Sequence, residues 1–268
     1  MLIGAMNHPA RDVLLEIEAI STIGFDFIDL TLEPPLATAR KLDTAAVRTS
    51  LEDHHLKIVG HTAYYLPLCS PFESIRRAAL DELKACLEAF AILGAEWMNL
   101  HPDAQAPFYD RKYIIERNVE TIQELLGFAR QVGVGLMIEN LPGSFNSVRQ
   151  LSGLLDAIPE LGLHLDIGHA NLQVEHNTTD EILAAYGHRL KHVHLHDNKG
   201  GNSDLHLPLG TGSINTSQAI RSLQQRSFDG TITLEVFSTD RRYLTYSRDV
   251  LRRLWDETLS IRKPVVVA

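Results

Sequence analysis

Cysteine is scarce in this chain: two of 268 residues, Cys69 and Cys86. They form no CxxC pair and no Cys/His finger, which excludes a disulfide scaffold and a zinc-finger fold. What remains is two reduced thiols, as expected of a cytoplasmic protein. No apolar run approaches the roughly 20 residues of a membrane span, and the opening "MLIGAMNHPARD" has too short an apolar run for a signal peptide. The closing "VVVA" reads as a packed or frayed tail. Basic charge is also in deficit. Lys and Arg number 25 against 34 Asp and Glu, a net charge of −9, which tells against a nucleic-acid ligand unless a local basic patch sits on the acidic surface. No low-complexity or Pro/Ser-rich linker divides the chain, so residues 1–268 read as one domain, long enough to bury a large core unaided.

What is present is an alternation. Eight short runs rich in Ile, Val, Leu and Thr read as strands: "LIGAM" (2–6), "FIDLTL" (27–32), "IVGHTA" (58–63), "WMNLHP" (97–102), "GLMIEN" (135–140), "LGLHLDIGH" (161–169), "LKHVHLHD" (190–197) and "TITLEVF" (231–237). Between them lie segments of helical spacing. One starts near Pro71, stops at Gly94 and carries Ile75, Ala79, Leu83, Leu87 and Phe90 on one stripe. Another sets Ile114, Val119, Ile122 and Leu126 inward and ends at Gly133. The period of roughly 30 residues is that of a βα unit. Eight such units predict the α/β class and a closed (β/α)8 TIM barrel. A doubly wound open sheet is the alternative, but "NHPARD" follows the first strand where that fold carries a Gly-rich fingerprint.

Thirteen histidines are also present, and histidine is both the commonest metal ligand and the usual acid/base group near neutral pH. Active sites of these barrels sit at the C-terminal strand ends. There the third strand carries His61, the fourth His101, the fifth Glu139, the sixth Asp166 and His169, the seventh His194 and His196, and the eighth Glu235, with Asp204 and His206 in the loop after the seventh. Period-two alternation turns Leu136 and Ile138 to one face and Met137 and Glu139 to the other, so the carboxylates and imidazoles face the barrel axis. A single such histidine is ordinarily a satisfied core residue. Six strands converging on one mouth point instead to a divalent metal, with a donor set suited to zinc, manganese or iron rather than calcium.

These motifs ("GHTAYYLP", "NLHPD", "MIENLPG", "HLDIGHA", "HVHLHDNKGGNSDLHLPLGTGSIN" and "ITLEVFS") resemble the xylose-isomerase-like TIM-barrel superfamily over nearly the whole chain. That group includes sugar and sugar phosphate isomerases and epimerases and also endonuclease IV, the AP endonuclease family 2. The epimerase branch implies one divalent ion, often manganese, on Glu139, Asp166, His194 and Glu235. The nuclease branch implies three zinc ions on His61, His101, Glu139, Asp166, His169, His194, Asp204, His206 and Glu235. One to three ions per chain therefore follow from the resemblance.

The reading favoured is a metal-dependent sugar or sugar phosphate isomerase or epimerase working through an enediolate. Glu139 and Glu235 would move the proton, and His169 would orient a substrate oxygen. His8, Glu33, Tyr64, His196 and Arg241 are candidate substrate contacts, each with a plainer role as surface, pocket wall or helix start. Gly210 and Gly212 either cradle a phosphate or turn the chain. The alternative is an endonuclease IV-like apurinic-site phosphodiesterase, against which Glu33 and the prolines of "LTLEPPLATAR" weigh, since a carboxylate there repels phosphate. A non-catalytic barrel ranks last. The partner expected is a carbohydrate, with no membrane and with a homo-oligomer left open. His192 reads as too deep on its strand to be a ligand, and His54, His55, His176 and His188 as surface.

Overall fold

The structure, a computed structural model, describes residues 1–262. The closing "VVVA" lies outside the described residues. Eight parallel strands close on themselves in sequence order: β1 (Leu2–Met6), β2 (Phe27–Leu32), β3 (Lys57–Thr62), β4 (Trp97–Leu100), β5 (Gly135–Glu139), β6 (Gly162–Asp166), β7 (Leu190–Leu195) and β8 (Thr231–Leu234). Pairing of Leu2 through Ala5 with Thr231 through Leu234 joins β1 to β8. One helix follows each strand: α1 (Val13–Ile23), α2 (Thr44–Asp53), α3 (Glu73–Leu93), α4 (Arg111–Val132), α5 (Val148–Leu155), α6 (Thr179–Tyr186), α7 (Thr216–Gln225) and α8 (Arg242–Arg262). Among the described residues no helix is long and apolar enough to cross a membrane.

The helices begin and stop where local chemistry says they should. Asp12 and Asp110 cap α1 and α4 by accepting backbone N–H groups of the first turn, and Gly94 and Gly133 end α3 and α4 in the left-handed conformation. Between strands and helices lies one continuous hydrocarbon layer, to which Ile28, Leu30, Leu136, Ile138, Leu163, Leu165, Val193, Ile232 and Leu234 contribute from the strands.

Residues of the opposite phase fill the barrel itself. Phe27, Val59 and Met137, with Leu2 and Trp97 against them, plug its N-terminal end. Gly4 leaves room for this plug: a Cβ there would stand 2.5 Å from the Phe27 ring. Above the plug the interior turns polar, with Asp29, Asn99, His164, His192 and Thr233 all essentially inaccessible.

The strands end earlier than the apolar runs suggest. The fourth stops at Leu100, the seventh at Leu195 and the eighth at Leu234, so His101, His196 and Glu235 occupy the first residue beyond the ladder. The ladder lasts only while neighbouring strands can pair, whereas an apolar run continues as far as burial does.

A candidate metal centre at the barrel mouth

The nine residues expected to be ligands come together in three adjoining groups. At the first, His61 Nε2 and His101 Nε2 both face Glu139 Oε2, at 3.7 and 2.9 Å. At the second, His194 Nδ1 faces Glu235 Oε2 at 3.2 Å and the carboxylates of Glu139 and Asp166 at 4.0 Å each. At the third, Asp204 Oδ2 lies 3.1 Å from both His169 Nε2 and His206 Nε2. Glu139 belongs to the first two groups, and His206 Nδ1, 3.5 Å from Glu235 Oε2, joins the third, so the three form one connected centre. All nine are buried except His206, which is half-buried, and Asp204, which is exposed at the rim.

Three of the inward nitrogens are fixed by what holds the other side of the ring. His169 Nδ1 lies 3.0 Å from the Asn140 carbonyl, His206 Nδ1 3.1 Å from the Glu235 carbonyl and His194 Nε2 2.7 Å from Asp29 Oδ2. An N–H donated to those oxygens leaves the opposite nitrogen with its lone pair toward the centre, which is how proteins set the tautomer of a ligating histidine. Asp166 is held the same way. Its backbone N–H and C=O pair with the Asn140 amide, and its Oδ1 accepts the His169 N–H at 2.8 Å.

The loop after β7 doubles back to deliver the third group. Asp197 and Leu207 exchange two backbone hydrogen bonds of 2.9 and 2.8 Å, which brings His206, itself at a left-handed φ of 44°, over the strand end. The rings of His196, His206 and Phe237 stack at 4.2 and 4.3 Å between centroids. Farther along, the Asp197 carboxylate accepts the N–H groups of Asn198, Gly210, Gly212 and Ile214 at 2.8–3.1 Å. The amides that could have cradled a phosphate are therefore already satisfied by an internal carboxylate.

The electrostatics of the mouth suit a cation. Burial alone would raise Glu139 and Asp166, but facing imidazoles, led by His164 and His101 for Glu139 and by His169 for Asp166, hold both well below the usual carboxylate range. Burial likewise opposes charge on His169, His194 and His196. It is outweighed by Asp166 at His169, by Glu235 and Asp29 at His194, and by Asp166 at His196, which is raised to about 8. Protons on these rings thus balance a nest of anions. Two inward-facing atoms, Asp166 Oδ2 and His196 Nε2, are buried without a hydrogen-bond partner among the described residues. Orphaned donors amid surplus carboxylates fit divalent metal, whose binding would replace the protons.

The candidate substrate contacts surround this centre. His8 is exposed, with its Nδ1 accepting the Ala10 N–H at 3.1 Å. Glu33 stands one residue past β2 and hydrogen-bonds Tyr65, whose hydroxyl burial and this carboxylate push up to about 12. Tyr64 is 66% exposed, with its ring edge-on to His101. His196 is buried between Asp166 and Asp204. Arg241 is ion-paired to Glu16 of α1.

Sequence reasoning missed Asp29, Asn99 and His164, and set His192 aside. Asp29 Oδ2 receives His194, His192 at 3.2 Å and the Thr233 hydroxyl at 2.9 Å, and Asn99 joins Glu139 to His164 at 2.5 and 2.7 Å. A signal was available: Phe27, Asp29 and Thr31 share the inward phase of β2, and a carboxylate in that phase needs a partner.

The sequence profile of the xylose isomerase-like TIM barrel family matches residues 17–254. The chain belongs to this family. Among relatives of this xylose isomerase-like barrel, fructoselysine 3-epimerase of Escherichia coli O157:H7 is 26% identical over 265 residues, covering 92% of each chain. A probable endonuclease 4 of Clostridium beijerinckii is 24% identical over 221 residues, 74% of this chain and 78% of its own. A D-tagatose 3-epimerase-like protein superposes with a TM-score of 0.86 at 22% identity, covering 98% of this chain and all of the other, which shows the shared fold. These named relatives are epimerases and endonucleases, and the likeness to the fructoselysine 3-epimerase spans more of this chain than the likeness to the endonuclease.

Proposed function

We propose that this protein is a metal-dependent sugar epimerase or isomerase that moves a proton on a carbon next to a carbonyl. The observation that carries the reading is the pair of carboxylates Glu139, at the end of β5, and Glu235, just past β8. Both are buried, and both face His194 Nδ1 from different sides of the barrel mouth. The full-length likeness to a fructoselysine 3-epimerase supports it.

Glu139, Asp166, His194 and Glu235 would hold the principal ion. A divalent cation there would polarise the substrate carbonyl and neighbouring hydroxyl and so acidify the C–H between them. The chain supplies the rest. One of Glu139 and Glu235 removes the proton and the other returns one to the opposite face of the planar enediolate, which inverts the carbon. Imidazoles hold Glu139 ionised despite its burial, so it enters the cycle as a base. With only the principal ion bound, His169, held at Nδ1 by the Asn140 carbonyl, would orient a substrate oxygen through Nε2; with an outer ion bound, that nitrogen would be a ligand instead. Tyr64 and Tyr65 offer ring faces at the rim, and Glu33 a carboxylate for sugar hydroxyls. The amides around Gly210 and Gly212 are occupied by Asp197, which favours substrates that do not need a phosphate held there.

The test is incubation of metal-loaded protein with a panel of ketoses and aldoses in D2O. Deuterium entering a single carbon, together with epimer formation, is expected. Complete lack of exchange across the panel, with metal bound, overturns the reading.

One observation favours the second reading, an apurinic-site phosphodiesterase: all three ligand groups are complete. Against it, Arg241 and Arg242 at the mouth are committed to Glu16 and Asp240, leaving these two cations engaged rather than free for a phosphate backbone. Salt-sensitive cleavage of an abasic-site duplex would decide in its favour.

A further inference from the structure

His196 was expected to line the pocket, but its surroundings are those of a ligand. It is fully buried, its Nδ1 is turned to the Asp197 carbonyl at 3.4 Å, and its Nε2 points into the centre without a hydrogen-bond partner among the described residues. That atom lies 3.5 Å from Asp166 Oδ1 and 3.6 Å from Asp204 Oδ1. These separations exceed hydrogen bonds, which run at about 2.7–3.2 Å. They match the roughly 3.4 Å between donors that share one ion at about 2.0–2.2 Å. Ligand atoms of His196 stand within 4.8 Å of those of Asp166 and His169 on one side and of His206 and Glu235 on the other.

The backbone has been cleared for this ring. A Cβ on Gly168 would sit 2.1 Å from His196 Nε2. Gly168 has φ −67° and ψ −50°, a conformation any residue adopts, so glycine is needed there for space alone. The ring is held inward by the His206 stack on one side and by the missing side chain on the other.

We propose that His196 is a metal ligand, the fourth of an outer cation held with His169, Asp204 and His206. Three protein ligands leave a coordination place for water, which is the arrangement of hydrolytic sites, and four close it. The outer cation is then a fixed positive charge at the rim of the principal site rather than a source of hydroxide. This inference rests on the centre holding metal and not on which reaction it runs.

The experiment compares wild type, His196→Gln and Gly168→Ala, each stripped, reloaded with zinc or cobalt and dialysed. Elemental analysis counts the ions and visible absorption reads cobalt coordination. Wild type is expected to hold an ion whose cobalt form shows the intense bands of four-coordination, and both variants to lose that ion while keeping the principal one. Near-UV circular dichroism verifies the fold of each variant. Should a variant fail to fold, nitrogen NMR of the wild-type histidines gives the same answer, because His196 Nε2 must shift when zinc is added. Unchanged ion counts and cobalt spectra in folded variants, or an unmoved His196 resonance, overturns the assignment. Loss of sugar chemistry with the ion count intact would instead count against the proposed reaction alone.

Discussion

Asp29 Oδ2 and His194 Nε2 stand 2.7 Å apart, so the second strand reaches across the barrel interior to hold the principal histidine of the seventh. The carboxylate has no accessible surface, and hydrogen bonds from His192 and His194 hold it well below the usual carboxylate range despite its burial. Outer carboxylates of this kind typically contribute 10–100-fold to metal affinity. Asp29→Asn is therefore expected to weaken zinc or manganese binding by about that factor in calorimetry while the barrel still folds. Affinity equal to wild type would show that His194 needs no such anchor.

Replacing Glu139 or Glu235 tests which carboxylate serves which face. Glu235→Gln should lower turnover by roughly 10²–10⁴-fold. It should also abolish solvent deuterium exchange with one epimer of the substrate more severely than with the other. Equal loss with both epimers would mean that Glu235 only binds metal.

Protonation supplies a further check. His196 rises to about 8 from an ordinary 6.5, and His169 and His194 shift the same way. A raised imidazole stabilises the metal-free fold fully below pH 6.5 and loses that contribution as pH climbs through about 8. Metal must displace those protons. Loading at pH 7 should release protons, and the number should decline as pH passes 8, read by calorimetry in buffers of differing ionisation enthalpy. Release that stays constant from pH 6.5 to 9 would contradict protonated rings. The depressed carboxylates act in the opposite sense, and their contribution disappears only in acid.

Asp197 accepts four backbone N–H groups at the start of the segment leading to α7. Removing a charged acceptor leaves several donors unsatisfied, so Asp197→Ala should cost on the order of 3 kcal/mol in urea denaturation. Partial recovery of the variant's stability by inorganic phosphate or sulfate would show that the turn is an anion nest with its own occupant. A variant as stable as wild type would refute the role given to Asp197.

Much of this was legible along the chain because two periodicities coincide. Strand alternation placed Glu139, Asp166 and His194 on the inward face, and the barrel rule placed their ends at the mouth. Asp29 escaped notice because "FIDLTL" reads as one buried apolar strand, which masks the inward phase its carboxylate shares with Phe27 and Thr31. His192 was judged by depth alone, yet depth is what lets it donate to Asp29. His196 was set apart from His194 because its partner ring, His206, arrives only after the loop doubles back, a fold the spacing does not reveal. Strand ends were misplaced by one to three residues because burial outlasts pairing.

Glu235 follows the eighth strand, and that strand pairs with the first. The first seven βα units carry His61, His101, Glu139, Asp166 and His194 but lack the carboxylate proposed to complete the principal set. On the proposed ligand set, capture of metal would thereby be tied to ring closure. An ion bound with full affinity certifies that the circuit of strands has been completed, and a chain arrested short of its last strand would be recognised by the metal it cannot keep.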